Sequence, residues 1–157
     1  MDEHIYPNEE AYAHQLKAAE NRFAPLPLMD ELKLEAKEAG LWNLFVPEEH
    51  AEYCDHGGLS FFDYAPLAEI MGRVIWCPEV FNCNAPDTGN MEVFMNYATE
   101  AQQREWLDPL LAGDIRSSYA MTEPQVASSD ATNVELRIEK AGNEWVLNGP
   151  KWFITNA

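Results

Sequence analysis

The sequence predicts an α+β chain. An all-helical N-terminal domain over residues 1–113 is followed by the opening strands of a truncated β-domain over residues 114–157. The main observation is a change of period: apolar residues recur at steps of three and four up to Gly113 and at steps of two after Asp114. The composition agrees, because 46% of the residues are hydrophobic and 11% are aromatic, which supports a packed core over most of the chain.

The first two predicted helices each carry one apolar stripe at helical spacing. Gly40 follows the second stripe and is expected to end that helix. We expect both stripes to face the core. In order, they comprise Tyr12, Leu16, Ala19 and Phe23, and then Leu28, Leu32, Ala36 and Ala39.

Three further helices are predicted before the period changes. Ser60 and Asp63 form a capping-box-like start for the third, and Thr99 with Gln102 forms a capping box for the fifth. Pro109 lies inside the fifth helix and is expected to bend or tighten it. The inward positions are expected to be Leu67, Ile70, Met71 and Val74, then Met91, Phe94, Met95 and Ala98, then Trp106, Leu107, Leu110 and Leu111.

Alternating residues predict short strands in the second part of the chain. Two or three strands with exposed edges do not form a stable sheet domain, so the β-domain is expected to be truncated. The predicted elements are a strand over 115–121, a half-buried strand with Val134, Leu136 and Ile138 inward, a turn at 141–144, a return strand with Trp145 and Leu147, and a strand over 151–155.

Charge and cysteine content exclude several classes of protein. Twenty-seven acidic against ten basic residues give a formal net charge of −17, which argues against a nucleic-acid partner because phosphate binding needs clustered Lys and Arg. No apolar run approaches the roughly 20 residues of a membrane span. The cysteines Cys54, Cys77 and Cys83 are odd in number and form no CxxC, so free thiols and no metal site are expected.

Two segments could carry chemistry. Residues 119–130 run from a strand into a loop rich in hydroxyls, whose neutral donors would suit a polar planar ring or a phosphate; the alternative is a turn that satisfies its own backbone. Residues 151–156 place adjacent aromatics before a threonine, which could flank a flat cofactor or fill a sheet core. A nucleophilic serine is not favoured, because the chain has no GxSxG elbow.

The order and separation of these segments resemble the flavin-binding signatures of the acyl-CoA dehydrogenase family. The motifs are Thr122-Glu-Pro and Lys151-x-x-Ile-Thr-Asn156. Two more segments are similar to family loops and helices, namely Leu44-Phe-Val-Pro-Glu-Glu49 and the helix that runs from Thr99 to Asp114. The sequence after Thr122-Glu-Pro, Gln125-Val-Ala-Ser-Ser-Asp130, is similar to the subgroup of family members 10 and 11.

The resemblance implies a flavoenzyme of fatty-acid metabolism that oxidises an acyl-CoA thioester to the trans-2-enoyl-CoA. FAD would be the cofactor, an electron-transfer flavoprotein the acceptor, and a homodimer or homotetramer the assembly. In relatives a glutamate of the C-terminal half removes the α-proton, and no residue of this chain matches it. The cytoplasm is expected for a bacterial protein, and the mitochondrion or peroxisome for a eukaryotic one.

The same resemblance assigns residues to the flavin and the substrate. Substrate contacts are implied for Ser128 and Ser129. Phe153 stands where many members have tryptophan, and would lie against the ring face, while Thr155 would lie near flavin N5. The implied cofactor-binding residues are Tyr119, Ala120, Met121, Thr122, Ser128, Phe153, Ile154 and Thr155.

Two alternatives remain open at this stage. An acyl-CoA oxidase-like flavoenzyme uses the same scaffold and differs in its access to oxygen or in its substrate. A non-catalytic interaction module is favoured if the native chain ends at Ala157, because the base and most of the cofactor pocket would then be lacking.

Overall fold

The structure is a computed structural model that describes residues 1–21 and 23–157. It divides into two compact units, Met1–Ile115 and Arg116–Ala157. The first unit is helical and the second contains an antiparallel pair of strands. The predicted α+β class, with helices first and strands after them, is therefore confirmed.

The helical unit consists of short to medium helices joined by turns. Its elements are a 3₁₀ turn at Tyr6–Asn8, α1 (Glu9–Ala18), α2 (Pro27–Glu38), a 3₁₀ turn at Glu48–Tyr53, α3 (Phe61–Met71), α4 (Cys77–Val80), α5 (Asp87–Tyr97), α6 (Glu100–Gln102), a π-helical segment at Gln103–Leu107 and α7 (Asp108–Ala112). None of the described helices combines the length and the apolar character needed to cross a membrane.

Most of the predicted stripes line the core, with exceptions near the end of α1 and in the π-helical segment. Leu28, Leu32 and Ala36 of α2 are buried, and Gly40 follows the helix with a φ of +70°, as predicted. Phe23 is exposed, so its predicted place on the first helix is wrong. The reason is that α1 ends at Ala18 and the backbone turns to an extended conformation, which removes the helical spacing beyond that point.

The predicted N-caps are confirmed by side-chain hydrogen bonds. Ser60 Oγ accepts a hydrogen bond of 3.2 Å from the backbone N–H of Asp63 before α3. Thr99 and Gln102 form a reciprocal capping box before α6. Each cap satisfies backbone donors that have no partner inside the helix.

The helix around Pro109 widens, whereas the sequence predicts a bend or tightening. The N–H of Asp108 bonds to the carbonyl of Gln103, five residues back, at the end of the π-helical segment. Proline has no N–H to give and its ring crowds the carbonyl four residues earlier, so a wider turn before it relieves both problems. Leu107 and Leu110 are buried as predicted, but Trp106 is exposed, because the wider turn changes the angular spacing of the stripe.

A buried pair of asparagines, each in a loop, is hydrogen-bonded to the C-terminal end of this helix. Asn82 Nδ2 donates to Asn43 Oδ1 at 2.7 Å and to the carbonyl of Leu110 at 2.9 Å. Asn43 Nδ2 donates to the carbonyl of Leu111 at 3.0 Å. The two asparagines have φ values of +59° and +54°, a conformation that Asn tolerates better than most residues. The pair thus adds donors to two of the last carbonyls of the helix, of which that of Leu110 also accepts from the Gly113 N–H and that of Leu111 from Trp42 Nε1.

The second unit contains one hairpin. Strand β1 (Arg137–Ala141) pairs antiparallel with β2 (Glu144–Asn148), in a register that joins Arg137 to Asn148 and Ala141 to Glu144. The predicted turn and return strand are confirmed. Gly142 has a φ of +65°, which the two-residue turn requires.

Three predictions about this unit are wrong. All residues of both strands are exposed, so the expected half-buried face is not covered by any described residue. Residues 115–121 and 151–155 form no strand. The reason is that a strand needs repeated backbone pairing, whereas the Trp152 N–H makes a single backbone bond, to the carbonyl of Thr122 just beyond residues 115–121.

Candidate functional site

The candidate site is built around a buried ion pair between the two segments that the sequence singles out. Lys151 Nζ lies 2.8 Å from Glu123 Oε1. The side chain of Glu123 is 1% exposed and that of Lys151 is 15% exposed. A buried carboxylate is stable only when it is paired and hydrogen-bonded, and Glu123 meets both conditions.

Glu123 also accepts two backbone hydrogen bonds from the chain that leads into β1. The N–H of Glu135 donates to Oε2 at 2.8 Å, and the N–H of Leu136 donates to Oε1 at 3.0 Å. The hydrogen bond from Lys151, followed by that from the Glu135 N–H, lowers the pKa of Glu123 from 4.5 to about 2, although burial opposes the shift. The carboxylate is therefore ionised at neutral pH and already accepts three hydrogen bonds, and its low pKa makes it a poor base for a substrate proton.

Lys151 extends this pair into a connection between the two segments. Its Nζ donates a second hydrogen bond, also 2.8 Å, to the carbonyl of Met121. The N–H of Trp152 donates to the carbonyl of Thr122 at 3.1 Å, and Asn156 Nδ2 donates to the carbonyl of Ser117 at 3.2 Å. The partners run in opposite directions along the chain, so the two segments lie side by side and antiparallel.

Part of the first segment satisfies its own polar groups. The Ser128 side chain is buried, and its Oγ accepts a hydrogen bond of 2.8 Å from the N–H of Glu123. Asp130 Oδ1 accepts from the N–H and the hydroxyl of Thr132, and these bonds lower the pKa of Asp130. Ser129 is exposed. Of the adjacent serines, Ser129 thus presents its side chain to the surroundings, whereas Ser128 helps to shape the loop.

The remaining candidate residues present aromatic rings and hydroxyls. Tyr119 is 62% exposed and Phe153 is 84% exposed. Among residues 1–21 and 23–157, no partner bonds to the hydroxyls of Thr122 and Thr155. Ala120 is exposed, whereas Met121 and Ile154 are half-buried.

Phe153 has an unusual backbone conformation. Its φ is +51°, a region in which a bulky side chain is an outlier. Its ring lies 4.8 Å from the ring of Trp152, with 45° between the planes. Strained residues of this kind cluster at binding and catalytic sites, where surrounding contacts hold them in place. The exposed ring is therefore a candidate for ligand contact.

Taken together, these residues fit a flat ring with polar edges. Exposed aromatic faces can lie against such a ring, and the threonine hydroxyls can each donate or accept a hydrogen bond at its edge. A flavin has this shape and chemistry. The described residues of the second unit thus fit part of a flavin site.

A separate cavity in the helical unit has the wrong charge for the phosphates of FAD or CoA. It has a volume of about 320 Å³, and its lining includes Glu52, Asp55 and Asp108. Carboxylates on the wall of a cavity repel a phosphate group bound inside it. No group of three or more His, Cys, Asp or Glu in the described parts of the chain could hold a metal ion.

Comparison with known proteins establishes the family. The model of the acyl-CoA dehydrogenase N-terminal domain matches residues 1–114, and that of the acyl-CoA dehydrogenase middle domain matches residues 118–157. The chain therefore belongs to the acyl-CoA dehydrogenase family.

Individual relatives agree with this assignment. The chain is 50% identical over 155 residues to mouse acyl-CoA dehydrogenase family member 10, covering 98% of the chain and 14% of the mouse protein. It is 47% identical over 161 residues to human acyl-CoA dehydrogenase family member 11, covering all of the chain and 20% of the human protein. A solved structure of a candidate acyl-CoA dehydrogenase from Mycobacterium abscessus is 49% identical with a TM-score of 0.86, over 98% of this chain and 39% of that one.

Sequence reasoning missed the Glu123–Lys151 pair, although both residues lie inside the motifs it singled out. A signal was present. Lys151 is one of only ten basic residues among 157, and it directly precedes two aromatic residues. A lone cation beside apolar residues is most often paired with a carboxylate, and Glu123 lies in the other motif.

Proposed function

We propose that this chain is the N-terminal part of a flavin-dependent acyl-CoA dehydrogenase. The complete protein would oxidise an acyl-CoA thioester to the trans-2-enoyl-CoA. The observation that carries the proposal is the side-by-side arrangement of residues 119–122 and 153–155, the two segments implied to bind flavin, which the Lys151 and Trp152 hydrogen bonds bring together. Family membership supports it, because acyl-CoA dehydrogenases are generally FAD-dependent.

Each candidate residue has a proposed role on the cofactor. The Thr122 hydroxyl and the backbone at Met121 would bond the polar edge of the flavin ring, Phe153 would lie against its face, and Thr155 would bond near N5. FAD, when bound, supplies the acceptor for the hydride that leaves the β-carbon of the substrate. The complete set proposed to bind FAD is Tyr119, Ala120, Met121, Thr122, Ser128, Phe153, Ile154 and Thr155.

The two adjacent serines of the first segment have different proposed roles. Ser129 is exposed and is proposed to contact the substrate or the flavin pyrophosphate. Ser128 is bonded to the Glu123 N–H, so its contribution would be to hold the loop, with its hydroxyl hydrogen left to reach a ligand atom.

The base that removes the α-proton is proposed to lie outside this chain. The Glu123 carboxylate is buried and accepts hydrogen bonds from three donors, so we do not propose it as the base that removes the α-proton. The proposal also includes an electron-transfer flavoprotein as acceptor and a homodimer or homotetramer as assembly. The proposed location is the cytoplasm in a bacterium and the mitochondrion or peroxisome in a eukaryote.

The test is to purify the complete gene product and record its visible spectrum and native mass. We expect one FAD per chain in an oligomer, and anaerobic bleaching of the flavin by an acyl-CoA. A preparation that stays colourless and takes up no added FAD contradicts the proposal. Hydrogen peroxide released during aerobic turnover would instead assign the protein to the oxidases.

A further inference from the structure

We propose that Lys151 and Glu123 are positioning residues for the flavin. Their ion pair would set the register between the segment that carries Met121 and Thr122 and the segment that carries Phe153 and Thr155. This inference rests on the proposed function and adds to it two residues that would themselves make no contact with the cofactor.

The position of the Lys151 ammonium supports this role. Lys151 Nζ reaches two acceptors on the opposite segment that are two residues apart, the Met121 carbonyl and Glu123 Oε1, both at 2.8 Å. A single ammonium that spans two positions fixes both the distance and the sliding of one segment past the other. Further bonds between the described residues of the two segments are the backbone bond from Trp152 to Thr122 and the side-chain bond from Asn156 to the Ser117 carbonyl, so at the Met121–Glu123 end the side-chain bonds are those of Lys151.

Lys151 is itself held in place by Glu123. Glu123 Oε1 accepts from both Lys151 and the N–H of Leu136, while Oε2 accepts from the N–H of Glu135. The Ser128 hydroxyl holds the Glu123 backbone at 2.8 Å. Hydrogen bonds to Glu135, Leu136 and Ser128 therefore hold the Glu123 side chain and backbone in place. The carboxylate in turn fixes the position of the Lys151 ammonium.

The hydrogen-bond partners of the Glu123 side chain require a carboxylate. A carboxylate is an acceptor at every lone pair, whereas an amide presents two N–H groups on one side. All three partners of the Glu123 carboxylate are donors. Glu123→Gln must therefore set an N–H group against at least one donor, although its size hardly changes. The site requires the charge as well as the shape.

The two residues of the ion pair lie close in sequence to the residues proposed to contact the flavin. Met121 and Thr122 lie next to Glu123 in the chain, and Phe153 lies two residues after Lys151. A shift of the ion pair therefore moves residues proposed to touch opposite parts of the flavin. Groups that must be aligned to within a fraction of an ångström depend on supporting side chains of this kind.

The experiment compares variants of the complete gene product. Lys151→Met removes the charge and both hydrogen bonds but keeps a similar volume, Glu123→Gln neutralises the carboxylate, and Lys151→Arg keeps the positive charge. Lys140→Met is the matched control, because Lys140 is an exposed lysine on β1 of the same unit. The readouts are the FAD dissociation constant by flavin fluorescence, visible circular dichroism of the flavin at saturating FAD, and thermal unfolding without FAD.

We expect Lys151→Met and Glu123→Gln to weaken FAD binding by about tenfold or more, because each leaves a buried charge or donor without its partner. The visible circular dichroism of the bound flavin should also change, which a loss of overall stability alone would not cause. Lys151→Arg should restore most of the affinity, and Lys140→Met should bind FAD as the wild type does.

The outcomes separate this inference from the function on which it rests. Wild-type protein that binds FAD, together with Lys151→Met protein of equal affinity and unchanged flavin spectrum, overturns the inference alone. Wild-type protein that takes up no FAD overturns both. If neither neutral variant folds, Glu123→Asp decides, because it keeps the charge and shortens the reach; unchanged affinity and spectrum in that variant reject the positioning role.

Discussion

Asn82 offers the sharpest test of how the helical unit is held together. Its side-chain amide donates to Asn43 Oδ1 at 2.7 Å and to the Leu110 carbonyl at 2.9 Å, and the residue is 6% exposed. Asn82→Ala removes both bonds, at about 1 kcal/mol each. It also places alanine at a φ of +54°, which costs about 1 kcal/mol more. We therefore expect a loss of about 3 kcal/mol in the free energy of unfolding.

The assay is urea-induced unfolding of the complete gene product, followed by tryptophan fluorescence. Asn82→Gly removes the same two bonds and relieves the backbone strain, so it should be about 1 kcal/mol more stable than Asn82→Ala. Asn96→Ala serves as the surface control, since Asn96 is exposed, and should cost less than about 0.5 kcal/mol. If Asn82→Ala loses no more than the Asn96 variant, the asparagine pair does not hold the helix end.

Three further predictions follow from other sites. Gly113→Ala should cost about 1–3 kcal/mol more than Gly40→Ala in thermal or urea unfolding. Both glycines have positive φ, but a Cβ at Gly113 would lie 2.7 Å from Trp42 Cζ2, whereas one at Gly40 meets nothing within 4 Å; equal costs would rule out the clash. Thr155→Ala should slow flavin reduction by about threefold to tenfold in stopped-flow traces through the loss of one hydrogen bond, and an unchanged rate would remove Thr155 from the flavin site. The depressed pKa of Glu123, about 2 against 4.5, predicts stability that is fully present above pH 4.5 and lost as the pH falls towards 2. Glu123→Gln should flatten this part of the pH profile, and a wild-type slope in that variant would contradict the assignment.

Local signals in the sequence were sufficient for most of the helical unit. Capping at Ser60 and Thr99, the stop at Gly40 and the stripe of α2 depend on residues within a few positions of one another, and these are the patterns that a sequence displays directly. The hairpin turn at residues 141–144 is of the same kind. Each was predicted correctly because no distant partner decides it.

Features that depend on distant partners could not be predicted in the same way. The asparagine pair joins positions 43 and 82. The wider helical turn before Pro109 relieves a backbone conflict, which the pattern of hydrophobic residues does not show. The strand predicted at 115–121 has an alternating pattern and that at 151–155 an apolar run, but neither pattern supplies backbone partners. In the candidate site the motifs identified the two segments, while the partnership of Glu123 with Lys151 depends on how the chain brings positions 28 residues apart together.

The π-helical segment at Gln103–Leu107 gives its helix one residue more than a regular α-helix would hold over the same span, because its hydrogen bond closes five residues back and an α-helical bond closes four. Removing one residue from the widened turn would therefore restore a regular α-helix and leave Leu110, whose carbonyl accepts from Asn82, close to its present place. The same deletion within α7 has no wider turn to absorb it, so it would rotate the residues beyond it by about 100° and draw them back by about 1.5 Å. The widened turn is thus the part of this helix where a change of length is expected to be tolerated.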